Sequence, residues 1–350
     1  MADSPEWVKM KIHPDIFEEL GVRDPDEIKR EAAIVKKTRQ VKKELLKDPD
    51  SLDLLTELAT LYMDGGSYED AIKELKVVVS RDQKRARAYK LLGTAYGLTH
   101  CEDEAIWELN RAVAIDDNDP EIHFNLGGVY MLQDMFEKAA QEFERVVELD
   151  PEDTTAYANL AAAYDMLDQN PEQIKVLKKV LMFSPEDKEL RGALSNAYFK
   201  HGDFDESLTA AMVVVDMDEK DAMGHCNLGS VYSAKNMVEE AILCFKKATE
   251  LDPDSSIPHT NLGSLYGSLS KVENAIKEFK IAAELNSGDA YAWYNLYTCY
   301  KQVGKTKQAQ EAFKKFETLS NEASGNVKSA TAVETVQTSE AAVRDTEGGL

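Results

Sequence analysis

Asparagine residues recur along this 350-residue chain at intervals of 34 residues or twice that distance. They are Asn125, Asn159, Asn227, Asn261 and Asn295. A side-chain amide has hydrogen-bond donors and an acceptor, so it can pair with the N–H and C=O groups of a peptide unit whatever side chains that peptide has. Evenly spaced amides therefore predict a surface that holds an extended polypeptide by its main chain.

Cysteine and histidine are common nucleophiles, bases and metal ligands, and their spacing in this chain argues against such chemistry. The 4 cysteines show no CxxC spacing, and the 6 histidines form no HExxH motif. His225 and Cys226 are adjacent, but no Ser/His/Asp or Cys/His arrangement, glycine-rich phosphate loop or carboxylate pair accompanies them. We therefore expect no enzyme, no metal site and no cofactor.

The asparagines are one position of a longer repeat. Tyrosines recur at the same interval without an insertion, and they align eight units of 34 residues that start at residues 52, 86, 120, 154, 188, 222, 256 and 290. The seventh position of each unit is leucine, and the eighth is small except for Tyr297 in the last unit. Positions 4, 7, 8 and 11 share one face of a first helix, and positions 20, 24 and 27 share one face of a second. Each 34-residue repeat is therefore predicted to be a pair of helices joined by a turn.

The predicted groove is the face of the first helices that remains when these packing positions are removed. Position 6 holds the five asparagines, and positions 2, 5 and 9 add neighbouring candidates. These are Phe124, Asn196, Tyr291 and Tyr294. Together the nine residues form the predicted peptide-binding set.

The pattern resembles the tetratricopeptide repeat (TPR), a 34-residue helix–turn–helix with Leu-Gly, Tyr, Ala, Phe and Pro at these offsets. The resemblance implies an all-α, right-handed superhelical solenoid of eight repeats, with the first helix of each repeat on the concave side. It also implies a scaffold for protein–protein interaction. The periodic asparagines resemble the asparagine ladder in the repeat domain of O-linked N-acetylglucosamine transferases, although no catalytic domain is recognisable after the repeats.

Two alternative interpretations stay open at this point. The asparagines can instead hydrogen-bond to neighbouring helices, because asparagine is common at this repeat position. The protein can also be a self-assembling structural protein whose groove or terminal edge binds a neighbouring copy, since Phe313 and Phe316 leave an apolar edge after the last unit. Binding of a C-terminal carboxylate is not expected, because Thr94 and Glu121 replace the residues that accompany Lys90 in chaperone-binding relatives.

Three segments follow from the repeat boundaries. Residues 1–51 are predicted to be an N-terminal segment with a basic capping helix, residues 52–323 the eight repeats, and residues 324–350 a disordered tail without aromatic residues. Residues 29–47 contain eight basic and two acidic residues. This basic helix is either a solvated cap or a docking surface for an acidic partner.

The composition narrows the classes of partner. The formal net charge of −23 would repel a phosphate backbone, so we expect a protein or peptide partner and no nucleic acid. No apolar stretch approaches the roughly 18 residues that a membrane helix needs. A cytoplasmic location without membrane insertion is therefore expected, and a homo-oligomer is left open.

The fifth 34-residue repeat departs from the pattern at several positions. It has Arg191 at position 4, Ala193 in place of the ladder asparagine, Ser195 at position 8 and Ser207 at position 20. We expect the junction between repeats four and five to be the weakest in the array.

Overall fold

The computed structural model describes residues 25–322, and all the regular secondary structure in that range is helical. The predicted all-α class is thus confirmed. The helices are α1 (Pro25–Leu45), α2 (Leu52–Asp64), α3 (Tyr68–Arg81), α4 (Ala86–Leu98), α5 (Glu102–Ile115), α6 (Pro120–Leu132), α7 (Phe136–Leu149), α8 (Thr154–Met166), α9 (Asn170–Val180), α10 (Lys188–His201), α11 (Phe204–Met217), α12 (Ala222–Ala234), α13 (Val238–Leu251), α14 (Ser256–Ser268), α15 (Val272–Leu285) and α16 (Ala290–Gln302), followed by α17 (306–322). The predicted tail at 324–350 lies outside the described residues, as do residues 1–24.

The chain divides into two compact units, Met1–Val176 and Leu177–Leu350, with the boundary inside α9. In the first unit, α1 packs against α2, and the pairs α2/α3, α4/α5 and α6/α7 are followed by α8. In the second unit, the pairs α10/α11, α12/α13 and α14/α15 are followed by α16 and α17. Each pair also contacts the next pair of its unit, so each unit is a stack of helix pairs. None of the helices in the described range is both long and apolar enough to cross a membrane.

Side-chain caps define where the first helices begin. Asp119, Asp153, Asp187, Asp221 and Asp289 each occupy the N-cap and accept a hydrogen bond from a main-chain N–H of the first turn. Such a cap satisfies an N–H group that has no partner within the helix. Each first helix begins at the first position of its 34-residue repeat.

The two helices of a repeat touch where the side chains at positions 8 and 24 have complementary sizes. Glycine at position 8 faces phenylalanine at position 24 in repeats three, six and seven. A Cβ added to Gly263, for example, would lie 2.9 Å from the ring of Phe279. Repeat one has Ala59 and the smaller Leu75 at these positions, and both are fully buried. In these four repeats the summed volume of the two side chains is thus nearly constant, as a close-packed interior requires.

Repeat five joins its two helices through polar side chains at positions 8 and 20. Ser195 and Ser207 are almost completely buried. The Ser207 hydroxyl donates to the main-chain oxygen of Ser195 at 2.8 Å, and the Ser195 hydroxyl donates to that of Ser207 at 3.0 Å. The departure seen in the sequence is therefore a satisfied hydrogen-bonded pair between α10 and α11. Weakness at the junction of repeats four and five stays a prediction.

Each repeat reverses direction between its two helices through one residue with positive φ at position 15. Glycine occupies this position in three repeats, at Gly66, Gly202 and Gly304. The other five repeats have a side chain there. These residues are His100, Asp134, Asp168, Asn236 and Ser270, with φ from 53° to 59°. A left-handed backbone at a residue with a Cβ costs roughly 1–2 kcal/mol.

Replacing Ser270 with glycine should therefore raise the free energy of unfolding by about 0.5–1 kcal/mol, because glycine removes the left-handed strain but makes the unfolded chain more flexible. Urea unfolding followed by circular dichroism would measure the change. The matched control is Gly202→Ala, where φ is 95°, and this variant should lose stability. A loss of stability in Ser270→Gly would contradict the prediction.

Candidate groove face

The face of the first helices that bears positions 2, 5, 6, 9 and 13, called here the groove face, is open to solvent. In repeat one the residues at these positions line a cavity of about 600 Å³. They are Asp53, Thr56, Glu57, Thr60 and Asp64. Lys37 of α1 and Arg87 of α4 also line this cavity. The set of candidates predicted from the sequence omitted this charged end, because position 6 is Glu57 there rather than asparagine.

Consecutive first helices meet on the groove face through a recurring contact. Side chains at positions 5 and 9 of one repeat reach positions 2 and 6 of the next. In the first unit, the Asn125 amide donates to the Thr94 hydroxyl at 2.8 Å. In the second unit, the Asn261 amide lies 3.2 Å from the Cys226 sulfur, and the Tyr291 and Ser264 hydroxyls are 3.4 Å apart. Position 6 thus lies at the seam between successive layers.

The first unit places two predicted ladder residues, Asn125 and Asn159, on this face, and both are half-buried. Asn159 makes no side-chain hydrogen bond within residues 25–322. Phe124 stands beside Asn125, and its ring packs edge-on against Phe143 with the centroids 5.8 Å apart. Phe124 is therefore partly held by the core.

The second unit places Asn227, Asn261 and Asn295 at the same position of three successive repeats, all half-buried. The Asn295 amide nitrogen donates to the main-chain oxygen of Tyr291 at 2.9 Å. Asn227 makes no side-chain hydrogen bond to any described residue. Asn196, at position 9 of repeat five, is exposed.

The nitrogen atoms and the oxygen atoms of these amides differ in their surroundings. Asn125, Asn261 and Asn295 each use one amide N–H in a bond to the protein. The Oδ1 atoms of all five ladder asparagines accept no hydrogen bond within the described range. The alternative role predicted from the sequence, bonding between neighbouring helices, therefore holds for Asn125 and Asn261, and their acceptor oxygens remain available.

Aromatic side chains dominate the groove face at repeat eight. Tyr291 is 56% exposed and Tyr294 is 43% exposed. The Tyr294 ring packs against Phe316 at 5.2 Å between centroids and against Tyr297 at 6.2 Å. Large exposed aromatic rings with a polar tip are frequent at protein–protein contacts.

Lys90, at position 5 of repeat two, is not available to bind a carboxylate from a partner. Its ammonium group is 2.7 Å from Asp119 and also pairs with Glu121. Burial lowers the pKa of Lys90, but the two carboxylates outweigh this effect and the pKa is raised. The expectation that the chain lacks a carboxylate clamp agrees with this neutralised lysine.

The thiols have surroundings that oppose nucleophilic chemistry. Burial raises the pKa of Cys226, although the hydrogen bond from Asn261 acts in the other direction. Burial and the charge of Glu240 raise the pKa of Cys244 to about 11. Both thiols are therefore protonated at neutral pH, and the thiolate is the reactive form.

The stacked helix pairs and their open first-helix face define a helical-repeat protein. Residues 42–94 and 103–164 match one tetratricopeptide repeat family, and residues 222–255 match another. The chain is a tetratricopeptide repeat protein, as the resemblance predicted. This fold is typical of scaffolds for protein–protein interaction, which are generally not enzymes.

Solved structures with the same kind of fold were found, whereas no curated protein matches the chain. A TPR repeat-containing protein from Cytophaga hutchinsonii has 14% identity and a TM-score of 0.57, with 69% of this chain and 99% of that chain covered. A tetratricopeptide repeat protein from Parabacteroides merdae has 17% identity and a TM-score of 0.51, with 71% and 98% covered. A MamA structure has 30% identity and a TM-score of 0.43, with 47% and 96% covered.

Proposed function

We propose that the protein is a non-enzymatic adaptor whose groove face binds an extended segment of another polypeptide through the main chain. The observation that supports this proposal most directly is that the Oδ1 atoms of Asn227, Asn261 and Asn295, in three successive repeats of one unit, accept no hydrogen bond from residues 25–322. The bonds made by Asn261 and Asn295 hold their amides in place before a partner arrives. Such preorganisation lowers the entropy lost on binding.

The spacing of the ladder suits an extended chain. Neighbouring helices pack roughly 8–10 Å apart, and three residues of extended polypeptide span about 10 Å. One asparagine for each layer would therefore meet every third peptide unit. An Oδ1 atom accepts from a peptide N–H, and the second amide hydrogen donates to a C=O.

The groove face of the second unit also indicates what kind of segment fits. Ser230, Thr260, Ser264 and Thr298 add neutral hydroxyls, whereas Tyr291 and Tyr294 are exposed at one end. A segment of low charge with an apolar or aromatic residue near Tyr291 suits these surroundings. The amides bind the main chain and do not distinguish between side chains of the partner, so Tyr291 and Tyr294 would supply most of the selectivity for its sequence.

The test uses the full chain as bait in cell extract, beside a variant in which Asn227, Asn261 and Asn295 are all alanine. A segment of a captured partner is then titrated against both proteins. Each asparagine lost removes at least one hydrogen bond of about 1 kcal/mol, so the triple variant should bind at least roughly 100-fold more weakly. N-methylation of the partner's main chain should weaken binding similarly, while alanine substitutions along the partner should matter less.

The control replaces Asn274 and Asn321, which are exposed on the second helices α15 and α17, with alanine. This variant should bind as the unsubstituted protein does, and both variants should keep equal helicity and melting temperature. Unchanged affinity in the triple ladder variant would refute the proposal and assign the asparagines to helix–helix bonding alone.

A further inference from the structure

Repeat eight differs from the other repeats at the contact between its two helices. Position 8 is Tyr297 instead of a small residue, and Phe313 at position 24 is 40% exposed. Phe245 and Phe279, at the same position of repeats six and seven, are each 2% exposed. The bulk of Tyr297 prevents the close approach that glycine permits. The Tyr297 and Phe313 rings pack at 5.0 Å between centroids instead.

A cavity of about 390 Å³ opens between α16 and α17 beside these rings. Its lining includes Tyr297, Lys301, Ala309, Phe313, Lys314 and Glu317. The surface is apolar and aromatic at the base, and it has two lysines and one glutamate at the rim. Lys314 makes no ion pair or ring contact with any described residue.

In repeats one and three, the residue at position 25 contacts the first helix of the following repeat. Lys76 of repeat one lies 5.4 Å from the centre of the Tyr96 ring, where Tyr96 is position 11 of repeat two. Glu144 of repeat three accepts a hydrogen bond from Tyr164, which is position 11 of repeat four. Lys314 is position 25 of repeat eight. The cavity edge is thus the place that a following first helix would cover.

One sequence segment outside the described residues has the pattern of a first helix. Residues 14–24, PDIFEELGVRD, match the start of repeat three when Leu20 and Gly21 are aligned with positions 7 and 8. Proline at position 1 and isoleucine at position 3 are then also shared. Asp24 falls at position 11. The residues that directly follow repeat eight fit less well, because position 7 would be Ala330.

Charge supports the same pairing. The segment 14–24 contains four acidic residues and one basic residue, whereas lysines exceed acidic residues at the rim of the cavity. Asp24 at position 11 would meet Lys314 at position 25, the pair of positions that is in contact after repeats one and three. Phe17 and Leu20 supply apolar side chains for the aromatic base.

We propose that residues 14–24 of a second copy dock on this edge of repeat eight, in the place of a following first helix. The interface is heterologous, since the two copies contribute different surfaces. Each copy then keeps one free edge and one free segment, so association continues head to tail unless a ring closes. This proposal is independent of peptide binding by the groove face.

Sedimentation velocity of the full chain over a range of concentrations tests the proposal. The unsubstituted protein should associate, and its average size should increase with concentration. Lys314→Glu and Asp24→Lys should each weaken association about tenfold or more, because each change puts like charges together. Combining the two changes should restore association. Leu20→Asp should abolish it.

The matched control is Lys315→Glu. Lys315 is also exposed on α17 and does not line the cavity, so this variant should associate as the unsubstituted protein does. Helicity and melting temperature should be the same for all variants. A monomer at every concentration, single changes without effect, or a combined variant that stays weak would each overturn the proposal.

Discussion

Replacing Phe279 with alanine should lower the free energy of unfolding by about 3–5 kcal/mol. The Phe279 ring is 2% exposed and fills the space opposite Gly263. Removing the ring leaves a cavity, because the close contact between α14 and α15 already has no side chain on the glycine side. Urea unfolding of the full chain, followed by circular dichroism, would measure the loss.

Phe313→Ala is the matched control, because Phe313 occupies the same position in repeat eight and is 40% exposed. Its loss should be only about 1–2 kcal/mol, since 40% of the residue is already exposed to water. Equal losses for the two substitutions would show that the contact between positions 8 and 24 is not what stabilises a repeat.

Gly263→Ala should destabilise the protein by about 1–2 kcal/mol although alanine favours helix more than glycine does. The added methyl group would lie 2.9 Å from the Phe279 ring, so the ring or α15 must shift. Overpacking of this kind costs typically 1–3 kcal/mol. The same denaturation experiment measures the effect.

Two further variants separate overpacking from a general effect of alanine. Gly267 lies in the same helix, and a Cβ added there meets nothing within 4 Å. Gly267→Ala should therefore stabilise the protein by about 0.5–1 kcal/mol. Combining Gly263→Ala with Phe279→Leu reproduces the Ala59 and Leu75 pair of repeat one, and should recover part of the loss. Stabilisation by Gly263→Ala alone would contradict the steric argument.

Much of the fold was predictable because the same types of residue recur at the packing positions of each repeat. Leucine at position 7 is buried in all eight repeats, and small residues at position 8 lie where the second helix approaches. The exception at Tyr297 was visible in the sequence. Its consequence, a half-exposed Phe313 beside an open cavity, depends on three-dimensional packing that no spacing rule contains.

The candidate site was predictable in position but not in detail. The regular spacing placed the asparagines on one helix face, yet it does not specify which amide atom is already bonded. Asn125 bonds to Thr94, which is position 9 of the preceding repeat, whereas Asn261 bonds to Cys226, which is position 5 of the preceding repeat. The two asparagines thus have partners of different type at different positions. The charged cavity at repeat one was missed because position 6 is Glu57 there rather than asparagine, and because Lys37 belongs to α1, outside the repeat alignment.

The stacking of helix pairs along each unit has a consequence for how the protein is made. In each unit a repeat contacts the repeats next to it in sequence, so no helix there waits for a distant part of the chain before it can pack. Proteins with such local contacts fold rapidly, and nascent chains emerge at only about 5–20 residues per second. Within each unit, a completed repeat can therefore fold onto the previous one during translation, and the rate of translation, rather than a search for distant contacts, sets the time in which the unit forms.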